Sequence, residues 1–228
     1  AVDGSEPADA AFEHALDIAA DCGATVRALY VADTNRDSVT TVGTNVRDAL
    51  EDEGEEVIEA ARKQAAGRGV AFEDEVLQGE PGDTILEAAD ERDVDLVAMG
   101  TRGRGGVRRF LLGSVAEHVV RRAEVPVLTV RADEEVRVEY PYDSVLVPTD
   151  GSGHASKALE QGVELARQHD ATLHVLSVVD VMAVGVDVRA DIVLDELEER
   201  AREAVEDAGA EAAEAGVDVV TDVITGSI

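Results

Sequence analysis
Cysteine is nearly absent: Cys22 stands alone in 228 residues. That excludes an intramolecular disulfide framework and a cysteine-rich zinc module. Lysine is almost as scarce, with Lys63 and Lys157 beside eighteen arginines. No apolar run approaches the ~20 residues of a membrane span. No signal peptide is visible, but the sequence opens on Ala1 rather than methionine, so that absence weighs little. Positive charge is short overall: 20 Lys plus Arg face 50 Asp plus Glu, for a formal net charge of -30. Such a surface repels phosphate backbones and argues against nucleic acid as a partner. Hydrophobic residues make up 45%, too many for a disordered acidic tail. The length suits one large domain or two ordinary ones. Excess carboxylate combined with little lysine points to a halophilic, cytoplasmic protein. At ~1 M salt the Debye length is only ~3 Å, which screens repulsion among the carboxylates.

The chain repeats itself. Asp3-Gly4-Ser5 returns as Asp150-Gly151-Ser152, and Ala24-Thr25 returns as Ala171-Thr172. Val31 matches Val178, Asp33 matches Asp180, Gly69-Val70 matches Gly216-Val217, and Gly79 matches Gly226, each at an offset of 147. One constant offset means two copies of one unit without net gaps, in tandem rather than as a solenoid. The reading is a first domain over 1–131, a linker over 132–141 and a second domain over 142–228. The first copy has only Ala1-Val2 where the second has Ser144-Val145-Leu146-Val147-Pro148. The second copy lacks a counterpart of the last fifty or so residues of the first. Both copies are therefore expected to be clipped.

Within the first copy, Ala1-Val2 reads as the end of a buried strand. A helix over about Pro7–Cys22 follows, with Ser5 as N-cap and Gly23 in the C-cap position. Strands are expected at 25–32, 70–77, 95–99 and 126–130. Helices are expected at 46–66, from Asp83 to about Glu91, and from Ser114. Residues 33–44 read as a loop. Alternating strands and helices give a doubly wound, mainly parallel α/β sheet. Ligands of such sheets bind beyond the carboxyl ends of the strands, where strand order reverses. That directs attention to Asp3, Val31 and the segment from Gly100.

The segment Gly100-Thr101-Arg102-Gly103-Arg104-Gly105-Gly106-Val107-Arg108-Arg109-Phe110-Leu111-Leu112-Gly113-Ser114 carries the chemistry. Its glycines let backbone N–H groups approach a ligand closely. Its four arginines form a basic island in an acidic chain. It runs into a helix N-terminus, where unpaired N–H groups and the dipole favour an anion. Together these describe a phosphate cradle. It is neither a P-loop, which needs GK[ST], nor a dinucleotide GxGxxG, whose third glycine is missing. The bland alternatives are concrete. Ser114-Val115-Ala116-Glu117 is a capping box, the glycines permit a bend, and the arginines have acidic neighbours.

Gly100, two residues, Gly103, nine residues, Gly113 and Ser114 match a spacing found in the nucleotide-binding members of the universal stress protein family, which this sequence resembles. The resemblance covers all of the first copy, and the second copy resembles the first part of the same domain. It implies a five-stranded Rossmann-like sheet of order 3-2-1-4-5, counting Ala1-Val2 as strand one. It also implies ATP, or ADP or AMP, with a divalent ion such as magnesium or manganese. By resemblance, Asp3 lies near adenine or ribose and Val31 touches adenine through its backbone. Gly100, Gly103, Gly113 and Ser114 hold ribose and phosphates, flanked by Met99, Arg104 and Val115. Asp150 and Val178 are the partial second set. Domains of the family pair, so the two copies are expected to pair within the chain or as a homodimer.

For catalysis the sequence offers little. His14 reads as a surface residue, and His118 follows Glu117 on the fourth helix, where a helix-surface position is the commoner case and an approach to the ligand the alternative. Cys22 sits near a helix C-terminus, which disfavours a thiolate. No HExxH or GxSxG is present. Three readings stay open: a nucleotide-binding regulator of the stress response, a slow ATP hydrolase or phosphotransferase, and an interaction module that binds no nucleotide.

Overall fold
The computed structural model describes residues 1–34, 43–103, 112–132, 139–180 and 190–226. The chain divides into two compact units, Ala1–Tyr140 and Pro141–Ile228.

In the first unit α1 (Glu6–Cys22) leads to β1 (Thr25–Asp33), α2 (Gly43–Arg68), β2 (Ala71–Gly79), α3 (Pro81–Glu91), β3 (Val97–Gly100), α4 (Ser114–Arg122) and β4 (Val127–Val130). The start of α1 is written in its capping residues. Ser5 accepts the Ala8 amide through its hydroxyl, and Gly23 closes the helix at φ 68°. Only glycine adopts that left-handed conformation without cost. β1 pairs in parallel with β2, and β3 in parallel with β4. Ala1-Val2 bridges the two pairs: the Val2 amide donates to Leu29 O at 2.9 Å and the Ala1 amine donates to Ala98 O at 2.6 Å. The lateral order is therefore β2, β1, Ala1-Val2, β3, β4, which is the order 3-2-1-4-5. The reversal falls at Ala1-Val2, directly before Asp3.

Both faces of this sheet are covered. On one, Phe12 and Leu16 of α1 and Ile58, Ala61 and Ala65 of α2 pack on Ala28, Tyr30 and Ala32. On the other, Ile85 and Ala88 of α3 and Ala116 and Val119 of α4 pack on Leu29, Val97 and Met99. β1 thus buries successive residues on opposite sides, as a central parallel strand must. The outer strand β2 is acidic, and its carboxylates are tied to arginines: Glu73 to Arg27, Asp74 to Arg62 at 2.9 Å, and Glu75 to Arg92 at 2.7 Å.

The second unit contains β5 (Ser144–Pro148), α5 (Gly153–His169), β6 (Thr172–Asp180), α6 (Ala190–Glu214) and β7 (Val219–Gly226). Its strands are parallel in the order β5, β6, β7. One face carries the core, with Leu159 and Ala166 of α5 and Val205, Ala208 and Ala212 of α6 against Val147, Leu173 and Val175. From the opposite face Leu146 (60% exposed), Val220 and Ile224 project outward.

One helix start and one helix cap differ from the sequence reading. α3 begins at Pro81 with Glu80 in the N-cap position and no side-chain cap bond, so Asp83 lies in the first turn rather than at the cap. A proline at the first helical position needs no N–H partner, which lets the helix start there. α4 has Gly113 as N-cap, which makes Ser114 the first helical residue. Among the described residues no helix is long and apolar enough to cross a membrane.

Candidate functional site
Strand ends and helix starts gather on one side of the first unit because every strand is parallel. The turn from Ala1-Val2 into α1 is built by its own side chains. The Asp3 carboxylate accepts the Ser5 amide at 2.9 Å, and Gly4 between them has φ 71°. Ser5 also reaches across: its hydroxyl donates to Arg102 O at 3.3 Å. That bond fastens the first turn to the glycine loop.

The glycine loop is pinned in turn. After β3 the Thr101 amide donates to Val130 O at 2.9 Å, and the Gly113 amide donates to Thr101 O at 2.7 Å. Gly100 and Gly103 are each crowded by a different neighbour. A Cβ on Gly100 would lie 2.6 Å from the Ala8 nitrogen and 2.7 Å from the Pro7 carbonyl carbon. A Cβ on Gly103 would lie 2.6 Å from Asp3 Oδ2. Gly100 is thus where α1 rests on the end of β3, and Gly103 is where the Asp3 carboxylate meets the loop.

Together these elements enclose a cavity of about 340 Å³ at the strand ends. Asp3, Val31, Met99, Gly100, Gly103, Gly113, Ser114 and Val115 all line it. Met99 is buried and forms part of the core beneath, while Val31 and Val115 are half-buried beside it. Ser114 is exposed, and because Gly113 holds the cap position the capping-box reading of Ser114 is overturned. The Glu117 amide is taken by Gly113 O at 2.9 Å, and the Glu117 side chain pairs with Arg121 instead of returning to the cap. The first amides of α4 are the ones that a helix cannot satisfy internally, so this end of the cavity favours negative charge. Arg102 also lines the cavity, as do two residues that the sequence reading passed over, Asp33 and Thr101. Asp33 could have been found from its repeat partner Asp180. Arg104 lies outside the described residues.

Of the two histidines of the first copy, His14 departs from the sequence reading as a surface residue, while His118 lies partly exposed on α4. His14 is 3% exposed, and its ring packs edge-on against Tyr140 at 5.7 Å. Tyr140 donates from its hydroxyl to Asp21 at 3.0 Å, so the segment after β4 lies along α1. His118 is joined through Nε2 to Asp83 Oδ1 at 2.7 Å, linking α4 to α3.

In the second unit the Asp150 carboxylate accepts the Ser152 amide at 2.9 Å, and Gly151 has φ 75°. The bonds from the Ser152 side chain and backbone hold the Asp150 carboxyl below its ordinary value of 3.8. Asp150 is exposed and Val178 half-buried. The described residues of this unit include no counterpart of the Gly100–Ser114 segment.

A doubly wound parallel sheet with a glycine loop at its strand-order reversal, followed in the chain by a second parallel α/β unit, defines a Rossmann-like class. The family model for the universal stress protein family matches residues 1–131 and again 141–228. The chain belongs to the universal stress protein family, with two such domains. It is 39% identical over 136 residues to the universal stress protein MJ0531 of Methanocaldococcus jannaschii, covering 57% of this chain and 78% of that protein. It is 32% identical over 144 residues to the universal stress protein YxiE of Bacillus subtilis, covering 58% of this chain and 95% of that protein. Among solved structures, a universal stress protein from Archaeoglobus fulgidus aligns with 99% of this chain and 75% of its own, at TM-score 0.71 and 26% identity.

Proposed function
We propose that the first unit binds an adenine nucleotide, ATP foremost and ADP or AMP as alternatives, and that occupancy makes the protein a regulator in the stress response. The observation that carries this reading is convergence. Stretches far apart in sequence, at Asp3, at Val31, at Met99–Gly103 and at Gly113–Val115, line one cavity at the reversal of strand order. The residues fit the group. Side chains on Gly100 or Gly103 would collide with their surroundings, and the start of α4 supplies unpaired amides. In the family's manner, Asp3 and Val31 would hold adenine and ribose. Gly100, Gly103, Gly113 and Ser114 would hold ribose and phosphates, with Arg102 and Arg104 as the nearby cations. Among the described residues no three His, Cys, Asp or Glu side chains gather as a metal site, so magnesium or manganese would arrive with the phosphates.

The test is a thermal melt in ~2 M KCl with ATP, ADP or AMP. A ligand at 100 times its Kd adds about 2.7 kcal/mol to the folded state and raises Tm. Gly113→Asp places a carboxylate beside the phosphates and should remove that rise. No rise with any of the three nucleotides overturns the reading.

We also propose that the acidic surface suits concentrated salt, given 50 Asp plus Glu against 20 Lys plus Arg. Screening removes repulsion in the folded state, so Tm should climb between ~0.1 and ~2 M KCl. A Tm that drops over that range rejects the proposal.

A further inference from the structure
On the side of the sheet away from the candidate cavity, the first unit carries a second and larger hollow. Ala1-Val2 lies between β1 and β3 and is bonded to Leu29 O and Ala98 O. Towards the amino ends of the strands, among the described residues, no strand separates Thr25–Ala28 from Asp95–Val97. A groove of about 540 Å³ runs between them, closed at one end by Ala1 and Val2. Phe12, Ala15 and Ile18 of α1 cover it on one face of the sheet, and Ile85, Ala88 and Ala89 of α3 on the other. The groove is thus apolar above and below, with main chain along both sides. Main-chain groups in the middle of a sheet need partners, because a buried N–H or C=O without one is costly.

The second unit shows what such a groove holds. There β5 runs on, with Ser144 opposite Thr172, Val145 opposite Leu173, Leu146 opposite His174 and Val147 opposite Val175. The Thr149 amide donates to Leu176 O at 2.8 Å, and at the offset of 147 the Val2 amide donates to Leu29 O at 2.9 Å. The register is therefore the same in both units. Further back, the Thr172 amide donates to Asp143 O at 3.0 Å, and its counterpart Thr25 lines the groove. Ser144–Val147 map onto the groove, directly ahead of Pro148, the counterpart of Ala1. Their side chains suit it as well. Val145 and Val147 pack into the core on one face, while Leu146 points to the other. In the second unit that other face leaves Leu146 60% exposed, whereas in the first unit Ile85 and Ala88 stand there. A strand covered on both faces is continuously apolar. The charges at the rim are already matched, Arg27 to Glu73 and Arg92 to Glu75.

We propose that this groove is the seat of an extended segment, uncharged and mostly aliphatic like Ser144–Val147, joined to the amino side of Ala1 and parallel to β1 and β3. The seated segment completes the central strand of the first unit. It also bears on the candidate site, because Ala1, Val2, Leu29 and Ile85 line both the groove and the cavity at Asp3. The seat itself does not depend on what that cavity binds.

The experiment compares the 228-residue chain with two extended chains, in high salt. One carries a copy of Asp143–Val147 ahead of Ala1, and the other the same copy with its two valines changed to aspartate. The first extension should raise Tm by ~5 °C or more and slow exchange of the Thr25 amide by about 10-fold or more. The aspartate version should do neither, because its carboxylates would lose water inside the groove. Unchanged Tm and unchanged Thr25 exchange in the first extension overturn the proposal. An equal rise for both extensions overturns it too, since it marks a tail that stabilises without being seated. A higher Tm without slower Thr25 exchange has the same consequence, because the added strand is then not bonded along β1.

Discussion

In the first unit Asp3 accepts the Ser5 amide at 2.9 Å, Gly4 turns at φ 71°, and Ser5 caps α1. In the second, Asp150 accepts the Ser152 amide at 2.9 Å, Gly151 turns at φ 75°, and Ser152 caps α5. The two turns are alike, and among the described residues the first faces a glycine loop. In both units the Asp-Gly-Ser motif supplies the same strand-to-helix parts: an acceptor, a left-handed residue and a cap. The proposed binding would use the atoms that these parts leave over. Asp3 Oδ2 stands against Gly103, and the Ser5 hydroxyl reaches Arg102 O. The same contrast holds for the cores. The first unit has one on each face of its sheet, while the described part of the second has one on a single face.

Three paired substitutions sharpen that contrast, taken from the largest expected effect down. Leu16 and Val163 occupy equivalent positions at the offset of 147, but Leu16 is fully buried and Val163 only half-buried. Leu16→Ala should cost about 2–5 kcal/mol and Val163→Ala clearly less, measured by denaturant unfolding. Equal costs would mean that the covered second face of the first unit does not tighten packing around α1. Next come the two caps. Ser152→Ala should cost about 1 kcal/mol, the ordinary value of an N-cap. Ser5→Ala should cost more, since it also cuts the bond to Arg102 O, and it should loosen the glycine loop in amide exchange. If the two serines prove equal, the cross-loop bond contributes nothing. The smallest effect concerns Asp150, whose carboxyl is held below its ordinary value by the Ser152 bonds. A depressed carboxyl stabilises the fold above the unfolded value near 3.8 and loses that contribution as pH falls through the folded one. Asp150→Asn should therefore flatten the acid limb of the stability curve below about pH 4. An unaltered acid limb would show that the turn bond is not formed in solution.

Much of the fold was legible because it is carried by short-range signals. Repeated Asp-Gly-Ser, glycines after helices and apolar strand runs are each local, and the offset of 147 ties them into two copies. The cavity residues were legible for a different reason, since the Gly100 to Ser114 spacing is long and demanding. The failures are instructive. Ser114-Val115-Ala116-Glu117 spells a capping box, yet Gly113 takes the cap because its amide is already drawn to Thr101 O. His14 reads as exposed until Tyr140, far away in sequence, lies on it.

The arginine-clasped acids of β2 have a consequence beyond the fold. An outer strand normally offers its free backbone groups as a template on which a neighbouring chain can grow. Here a recruited strand would have to settle beside Glu73, Asp74 and Glu75, whose counter-charges are already claimed by Arg27, Arg62 and Arg92. The row of three carboxylates makes this sheet border a poor seed for fibres in dilute buffer, a guard that rising salt weakens.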